Sequence, residues 1–268
     1  GSTPANDANS IQVLQAAPTN QSNVIYLTAS QSITLQGTAQ VLANGTTGGS
    51  IYAQAPTITT QAGSVLQANG NNGPGGSISF NADQITVAGN LAANGSTDGG
   101  AITLIANNGD LLMSNSLVQT NGSTGRGGSI AISASNDVTI NGTALSAVGY
   151  TQGGQILIGN DANNGTLPFA LSTTLDQYTT LNAAQQSTDP NNQNGGFIET
   201  SSKGAVALAP TVSINTSPNN MTGKAGTWLL DPIDLTIDAS TANLISQILS
   251  NSNVTIAVTN STTACPIG

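Results

Sequence analysis

The fold is decided by the stretch from Gly75 to Gly95, GGSISFNADQITVAGNLAANG, because its pattern recurs along most of the chain. Each unit opens on two glycines, followed one residue later by an aliphatic side chain. The doublets are Gly48-Gly49, Gly75-Gly76, Gly99-Gly100, Gly127-Gly128, Gly153-Gly154 and Gly195-Gly196. Their starts lie 27, 24, 28, 26 and 42 residues apart. The chain therefore contains an internal repeat with a period of roughly 25 residues.

Within each unit, apolar and polar residues alternate in three short runs, which in the quoted unit surround Ile78, Ile85 and Leu91. Alternation with period two places one set of side chains inside and the other outside. One unit cannot bury its own apolar row, but units stacked about 4.8 Å apart bury it and pair their backbone groups. We therefore predict an all-β fold, a parallel β-helix (β-solenoid) of about eight or nine coils with three short strands each. A β-sandwich would not produce the near-constant repeat.

The turns between runs carry Asn-Gly pairs. They are Asn44-Gly45, Asn69-Gly70, Asn94-Gly95 and Asn121-Gly122. Asn and Gly both tolerate positive φ, so these pairs predict tight turns. The long last interval predicts a short excursion over residues 159–170, followed by one more coil in which Leu175 and Leu181 take the apolar positions.

The composition excludes several classes of protein. Of 268 residues, 37% are hydrophobic but only 6% are charged and 3% aromatic; there is no histidine, and the net charge is −9. The three cations, Arg126, Lys203 and Lys224, do not make the basic surface that nucleic-acid binding needs. No apolar run approaches the roughly 20 residues of a membrane span. We expect no nucleic-acid partner and no membrane span.

The two ends differ from the repeat. Gly1-Ser2 is typical of the scar left by a cleaved expression tag, and residues 1–20 form a polar N-terminal segment ahead of a solenoid over residues 21–238. Residues 239–268 are predicted to be a short helix plus a strand, acting as a cap or as the start of a next segment. Aliphatic residues at helical spacing predict the helix within Thr241–Ser252, and Val254–Val258 predicts the strand.

Two segments near the C-terminus resemble a known family. Their residues are Gly195, Gly196, Phe197, Ile198 and Glu199, then Gly226, Thr227, Trp228, Leu229, Leu230, Asp231 and Pro232. This text resembles the large bacterial exoproteins of the filamentous-haemagglutinin family, the adhesins exported by two-partner secretion. The resemblance extends over about Gly48 to Val258.

The resemblance implies a right-handed parallel β-helix that forms part of an extracellular rod. It also implies a secreted or cell-surface location, an outer-membrane transporter as the partner during export, and a ligand on a host cell, a matrix or a neighbouring cell. The secretion region of the family carries an Asn-Pro-Asn-Gly type motif, to which only Asp189-Pro190-Asn191-Asn192 comes near here. The chain is therefore expected to lie downstream of that region or to span only its end.

Carboxylates are the candidate ligand groups, because several solenoid families degrade polysaccharides with paired acids, often with Ca²⁺. Asp83, Asp110 and Asp137 fall at corresponding corners, where they would stack in a row and bind a cation. The alternative is that Asp is simply a good corner residue. Asp231, Asp234 and Asp238 form a second acidic group with the same two interpretations. We predict no metal ion and no cofactor.

Aromatic residues bear on sugar binding. Trp228 is the only tryptophan, and we predict that it fills the interior where the coil pattern ends. The tyrosines Tyr26, Tyr52, Tyr150 and Tyr178 show no shared coil position, which disfavours an aromatic platform. Cys265 is either a free thiol or paired beyond this chain.

These observations leave two classes of function. The first is a non-catalytic structural or adhesive rod segment of a secreted protein, and the second is a carbohydrate-binding or polysaccharide-degrading β-helix. The second requires acids together with cations or aromatics on one face. Because both are scarce, the sequence favours the first class and predicts no enzyme activity.

Overall fold

The alternating runs form the strands of a parallel β-solenoid in the computed structural model, which describes residues 10–12, 23–162, 165, 167–189, 191, 194–219 and 223–258. In chain order the elements are β1 (Ser10–Gln12), β2 (Val24–Thr28), β3 (Ser32–Leu35), β4 (Gln40–Leu42), β5 (Ser50–Gln54), β6 (Thr57–Thr60), β7 (Val65–Gln67), β8 (Ser77–Ala82), β9 (Gln84–Val87), β10 (Asn90–Ala92), β11 (Ala101–Ala106), β12 (Leu111–Ser114), β13 (Leu117–Gln119), β14 (Ser129–Ala134), β15 (Asp137–Asn141), β16 (Ala144–Ser146), β17 (Gln155–Ile158), β18 (Ser172–Leu175), β19 (Thr180–Asn182), β20 (Phe197–Leu208), β21 (Ser213–Asn215), β22 (Thr227–Asp234), α1 (Ala239–Ile248) and β23 (Asn253–Ile256).

The strands stack into three parallel ladders. The first face contains β2, β5, β8, β11, β14, β17, the start of β20, β22 and β23. The second face contains β1, β3, β6, β9, β12, β15, β18 and the end of β20, and the third contains β4, β7, β10, β13, β16, β19 and β21. The first-face strands from β2 to β22 begin eight successive coils. The predicted fold class is confirmed.

The core is a set of single-residue rows that run through the stack. One row on the first face joins Ile51, Ile78, Ile102, Ile130, Ile156, Ile198 and Trp228, each at most 1% exposed. Every member is covered by the coils above and below it, and burying one such side chain contributes about 1.5–3 kcal/mol. The narrow interior explains the small apolar side chains.

The paired glycines are required by the close approach of neighbouring coils. A Cβ added at Gly76 would lie 1.8 Å from the carbonyl oxygen of Gly49, and one at Gly48 would lie 2.2 Å from the backbone of Ala68 and Gly76. None of the doublet glycines has positive φ. The doublets thus mark backbone contact between coils rather than sharp turns.

The Asn-Gly pairs also act between coils. The Oδ1 atoms of Asn44, Asn69 and Asn94 accept hydrogen bonds from the backbone N–H groups of Asn69, Asn94 and Asn121 respectively, each at 2.8 Å. No asparagine in this ladder has positive φ, so the expected positive-φ turns are wrong. Asparagine is used here because its side chain bonds the next coil.

The long interval after Gly153 is one enlarged coil. Strand β17 pairs directly with β20, so no additional coil separates them. The excursion over residues 159–170, here called the insertion, lies inside this coil, between its first-face strand β17 and its second-face strand β18. Leu175 and Leu181 take the predicted buried positions in this same coil.

Helix α1 begins two residues earlier and ends four residues earlier than the predicted range. The Asp238 side chain caps its N-terminus by accepting from Thr241 N–H at 2.8 Å. Leu244 and Ile248 are buried, and the helix contacts β21, the last strand of the third face. The helix therefore covers that edge, while β23 continues the first face. No helix among the described residues is long and apolar enough to cross a bilayer.

Candidate functional site

The two segments that carry the family resemblance lie side by side in neighbouring coils. Glu199 stands opposite Leu229, and Ser201 stands opposite Asp231, in the parallel pairing of β20 with β22. Gly196 accepts a backbone hydrogen bond from Thr227 at 3.0 Å, which places Gly195-Gly196 against Gly226 at the same corner. The residues that carry the resemblance therefore lie together on one patch of the first face and at the adjoining corner.

Trp228 and Pro232 are buried on this patch, and Trp228 points into the solenoid. Its indole Nε1–H donates to the hydroxyl of Thr200 at 3.0 Å, so the one polar atom of the ring is satisfied in the interior. Trp228 is fully buried and continues the isoleucine row. The prediction that this tryptophan fills the interior near the end of the pattern is confirmed.

Glu199 lies in the outward row of the same strand but is completely buried, because the insertion covers it. Both carboxylate oxygens accept from the backbone N–H of Ala162, at 3.0 and 3.2 Å, and Oε1 also accepts from the hydroxyl of Ser201 at 2.7 Å. The insertion is held further by the hydroxyl of Ser133, which donates to the carbonyl of Pro168. The carboxylate of Glu199 therefore fastens the insertion to the first face.

Two more carboxyl groups are buried nearby, and we call Asp161, Glu199 and Asp231 the covered cluster. Asp161 is 3% exposed and Asp231 is 4% exposed. Burial raises the pKa of Glu199, and the charges of Asp161 and Asp231 raise it further against the lowering effect of the hydrogen bonds from Ala162 and Ser201. Burial also raises the pKa of Asp231. The cluster is therefore a place where protonation and packing are linked.

The chemistry open to the covered cluster is limited by its burial. Because Glu199 has no exposed surface, a polymeric substrate does not reach it while the insertion is in place. In the part of the chain that the structure describes, no group of three or more Asp, Glu, His or Cys residues is arranged to hold a metal ion. The cluster is suited to fastening a segment rather than to acid–base catalysis.

The three corner aspartates do not form the predicted row. Asp110 and Asp137 share one position, but Ile85 pairs with Leu111, which places Gln84 rather than Asp83 opposite Asp110. Asp83 accepts from the Asn108 amide at 2.6 Å and Asp137 from the Ser172 hydroxyl at 2.7 Å. These contacts are those of corner residues. Asp238, in the second acidic group, is the helix cap.

Two of the three cations, Arg126 and Lys224, lie at a different corner from these acids, whereas Lys203 donates its backbone N–H to Ala170, next to the corner of Asp137. Arg126, Gln152, Asn194 and Lys224 form one row beside the glycine doublets, along a groove of about 890 Å³. The aspartates instead follow the first-face strands. A polysaccharide lyase needs both kinds of group around one bond, so the position of Arg126 and Lys224 disfavours a mechanism that uses either of them.

The tyrosines correct another expectation. Tyr26 and Tyr52 occupy the same position in successive coils and stack with ring centroids 5.3 Å apart. Sequence reasoning missed the pair because no glycine doublet precedes Tyr26. Each tyrosine nevertheless lies two residues after the first residue of its strand, Val24 or Ser50. Asp161 was missed because nothing in the sequence places the insertion over Glu199. Cys265 lies outside the described residues.

No protein-family model matches the chain, and a search of curated proteins finds no significant match. Among solved structures, the chain is similar to the HMW1 secretion domain from Haemophilus influenzae, with a TM-score of 0.53 and 20% sequence identity. The superposition covers 88% of this chain and 63% of that one. At this identity the likeness establishes the fold, a parallel β-solenoid.

Proposed function

We propose that the chain is a non-catalytic β-solenoid segment of a secreted bacterial surface protein that is exported by two-partner secretion. The observation that carries the proposal is the fold likeness to the HMW1 secretion domain over 88% of this chain. The proposal gives the chain an outer-membrane transporter as its partner during export. It also makes the chain part of the secretion region rather than a piece downstream of it.

The architecture supplies a physical mechanism for export. Each coil contacts only its neighbours, so the chain folds one coil at a time as it emerges. Each added coil buries a row residue such as Ile102 or Ile130 and pairs its backbone with the previous coil. These gains accumulate outside the cell without a nucleotide, and they disfavour backward movement of the folded part.

The contacts of the acidic residues support a structural rather than catalytic role. Glu199 binds the insertion, Asp238 caps a helix, and Asp137 bonds a neighbouring coil. As a stiff rod, the segment would space or display regions that bind a host cell, a matrix or a neighbouring cell. The adhesive ligand is part of the proposal and is tested separately from export.

Export is tested by producing the chain behind a cleavable signal peptide, with and without an outer-membrane transporter of the two-partner-secretion type. We expect surface or medium accumulation only when the transporter is present. Gly76→Ala, which obstructs coil stacking, should lower export, whereas Gly73→Ala should not. Equal accumulation without the transporter would contradict the proposal.

Unassisted folding is tested by dilution from concentrated guanidinium. We expect full recovery of β circular dichroism and of protease resistance without chaperones or nucleotide. A chain that stays unfolded in plain buffer would remove the physical basis of the mechanism.

A further inference from the structure

Tyr26 and Tyr52 form an exposed aromatic step on the outer surface of the first face. The two residues are 72% and 40% exposed, and their rings lie 18° from parallel. They belong to β2 and β5, so the rings stack along the solenoid axis, one coil apart. A tyrosine pair that buries neither ring against the core contributes little to the fold, which leaves its apolar surface open to a ligand.

The stack of two rings does not continue into the next coil. The same outward position is occupied by Ser79 in β8, Thr103 in β11 and Ala131 in β14. These small side chains form a low strip between the ring of Tyr52 and the insertion, and we call this strip the outer trough. From Tyr52 to Leu157 the trough spans four coil steps, about 19 Å.

The far end of the trough is a cavity next to the insertion. It measures about 300 Å³, and its lining includes Thr103, Ala131, Asp161 and Leu167. The insertion supplies both Asp161 and Leu167, so the fastening of this segment by Glu199 also shapes the trough. None of the described residues that line the cavity is a cation.

Amides flank the trough near its aromatic end. Gln54 and Asn81 lie two residues beyond Tyr52 and Ser79 on the same strands, and both point outward. Asn107 donates from its Nδ2 to the Oδ1 of Asn81 at 2.6 Å, which fixes the orientation of that amide. Amides both donate and accept, as pairs of adjacent hydroxyl groups require.

We propose that the outer trough binds a neutral glycan. The C–H face of a pyranose is apolar and packs against the electron-rich face of an aromatic ring, so a sugar over Ser79 would continue the stack that Tyr26 and Tyr52 begin. Its hydroxyl groups would meet the amides of Gln54 and Asn81. The length of the trough accommodates a short oligosaccharide rather than a single sugar.

The charge of the site selects against acidic glycans. Asp161 lies at the far end, and the chain carries a net charge of −9. A uronic or sialic acid would be repelled by this net negative charge and would meet an acidic residue in the lining. The proposal goes beyond export, because binding at the trough does not depend on how the protein leaves the cell.

The experiment is isothermal titration calorimetry of the whole chain with cellohexaose, maltohexaose and mannohexaose, and with hexagalacturonate as the acidic probe. We expect saturable binding of at least one neutral probe. Tyr52→Ala should weaken it about tenfold, the loss expected for a stacking contact, whereas Tyr52→Phe should retain it. Ser79→Phe should abolish binding by filling the trough, with unchanged thermal stability.

Tyr150→Ala is the matched control, because Tyr150 is exposed to a similar extent, 44%, but lies outside the trough. It should bind like the wild type. The proposal is overturned if no neutral probe binds, if hexagalacturonate binds more tightly than the neutral probes, or if Tyr150→Ala causes the same loss as Tyr52→Ala. It is also overturned if Tyr52→Ala abolishes a concentration-dependent dimer, since a second copy of the chain would then occupy the trough.

Discussion

The first face has two halves that share an interior and differ outside. In the N-terminal half, the outward row runs through Tyr52 and Ser79 and is open to solvent. In the C-terminal half the same row runs through Leu157, Glu199 and Leu229, all at most 4% exposed. The inward row from Ile51 to Trp228 is buried in both halves.

The difference shows which part of a coil is free to change. An inward residue touches the coils above and below it, so each change there is felt by its neighbours. An outward residue meets only what happens to lie over it. The solenoid therefore keeps one kind of interior and places its distinguishing features, a tyrosine pair and a fastened insertion, on the outward row.

Coil stacking at the glycine doublets is common to both halves, and blocking it should cost the most stability. Gly76→Ala in the N-terminal half and Gly196→Ala in the C-terminal half each place a methyl group about 2 Å from a backbone oxygen. We expect each to lower the free energy of unfolding by about 4 kcal/mol or more. Guanidinium denaturation followed by circular dichroism measures this.

Gly73→Ala is the control for the doublets, because its added Cβ would lie 3.1 Å from the nearest atom, the carbonyl oxygen of Thr46. It should unfold near the wild-type midpoint. If Gly76→Ala behaves like Gly73→Ala, the doublets are not imposed by coil stacking.

The next prediction compares truncations in the two halves of one interior row. Trp228→Ala should cost about 3–5 kcal/mol by leaving a cavity in the C-terminal half, where Thr200 also loses its partner. Ile78→Ala, in the same row of the N-terminal half, removes fewer atoms and should cost about 2–5 kcal/mol. Amide exchange should report the loss locally, in β20 and β22 for Trp228→Ala. Unchanged melting of that variant would contradict the buried position of the ring.

A pH change should affect the covered half alone. Because the folded-state pKa of Glu199 is raised, its contribution to folding is full below its ordinary pKa of 4.5 and is lost as the pH rises through the raised value. After correction for intrinsic exchange, amides of the insertion should be less protected at about pH 8 than at about pH 5, while β5 and β8 stay constant.

Glu199→Gln should flatten most of this pH dependence, because the amide does not titrate and still accepts from Ala162. The pH dependence that remains comes from Asp231, because burial raises the pKa of that carboxyl as well. Asp137→Asn, at an exposed corner, should leave the profile as it is. An equal loss of protection in both halves at high pH would show that the effect does not arise at the covered cluster.

The smallest effect concerns the end of the C-terminal half. Asp238→Ala removes the oxygen that caps α1, and the hydrogen bond from Thr241 N–H holds the pKa of Asp238 below its ordinary value. We expect faster amide exchange in the first turn of α1 with little change in global unfolding. The protection should disappear as the pH falls through the lowered pKa. Slower exchange in the variant would contradict the cap.

Several features were predictable because they depend only on local pattern. Alternation around Ile78, Ile85 and Leu91 placed the three faces, and the doublets marked the corner where coils touch. The segment around Trp228 was correctly assigned to the interior. The Asn-Gly turns were misjudged, because the Asn69 side chain acts on the next coil and not on its own turn.

The repeat, the parallel stacking and the identity of the inward rows follow from the order of residues alone, since burial alternates with period two. Which outward residues meet depends instead on how neighbouring coils pack. Coils differ in length at their corners, and backbone pairing between coils absorbs each difference at a particular residue. That is why Tyr26 meets Tyr52, Asp83 misses Asp110, and the insertion buries Glu199.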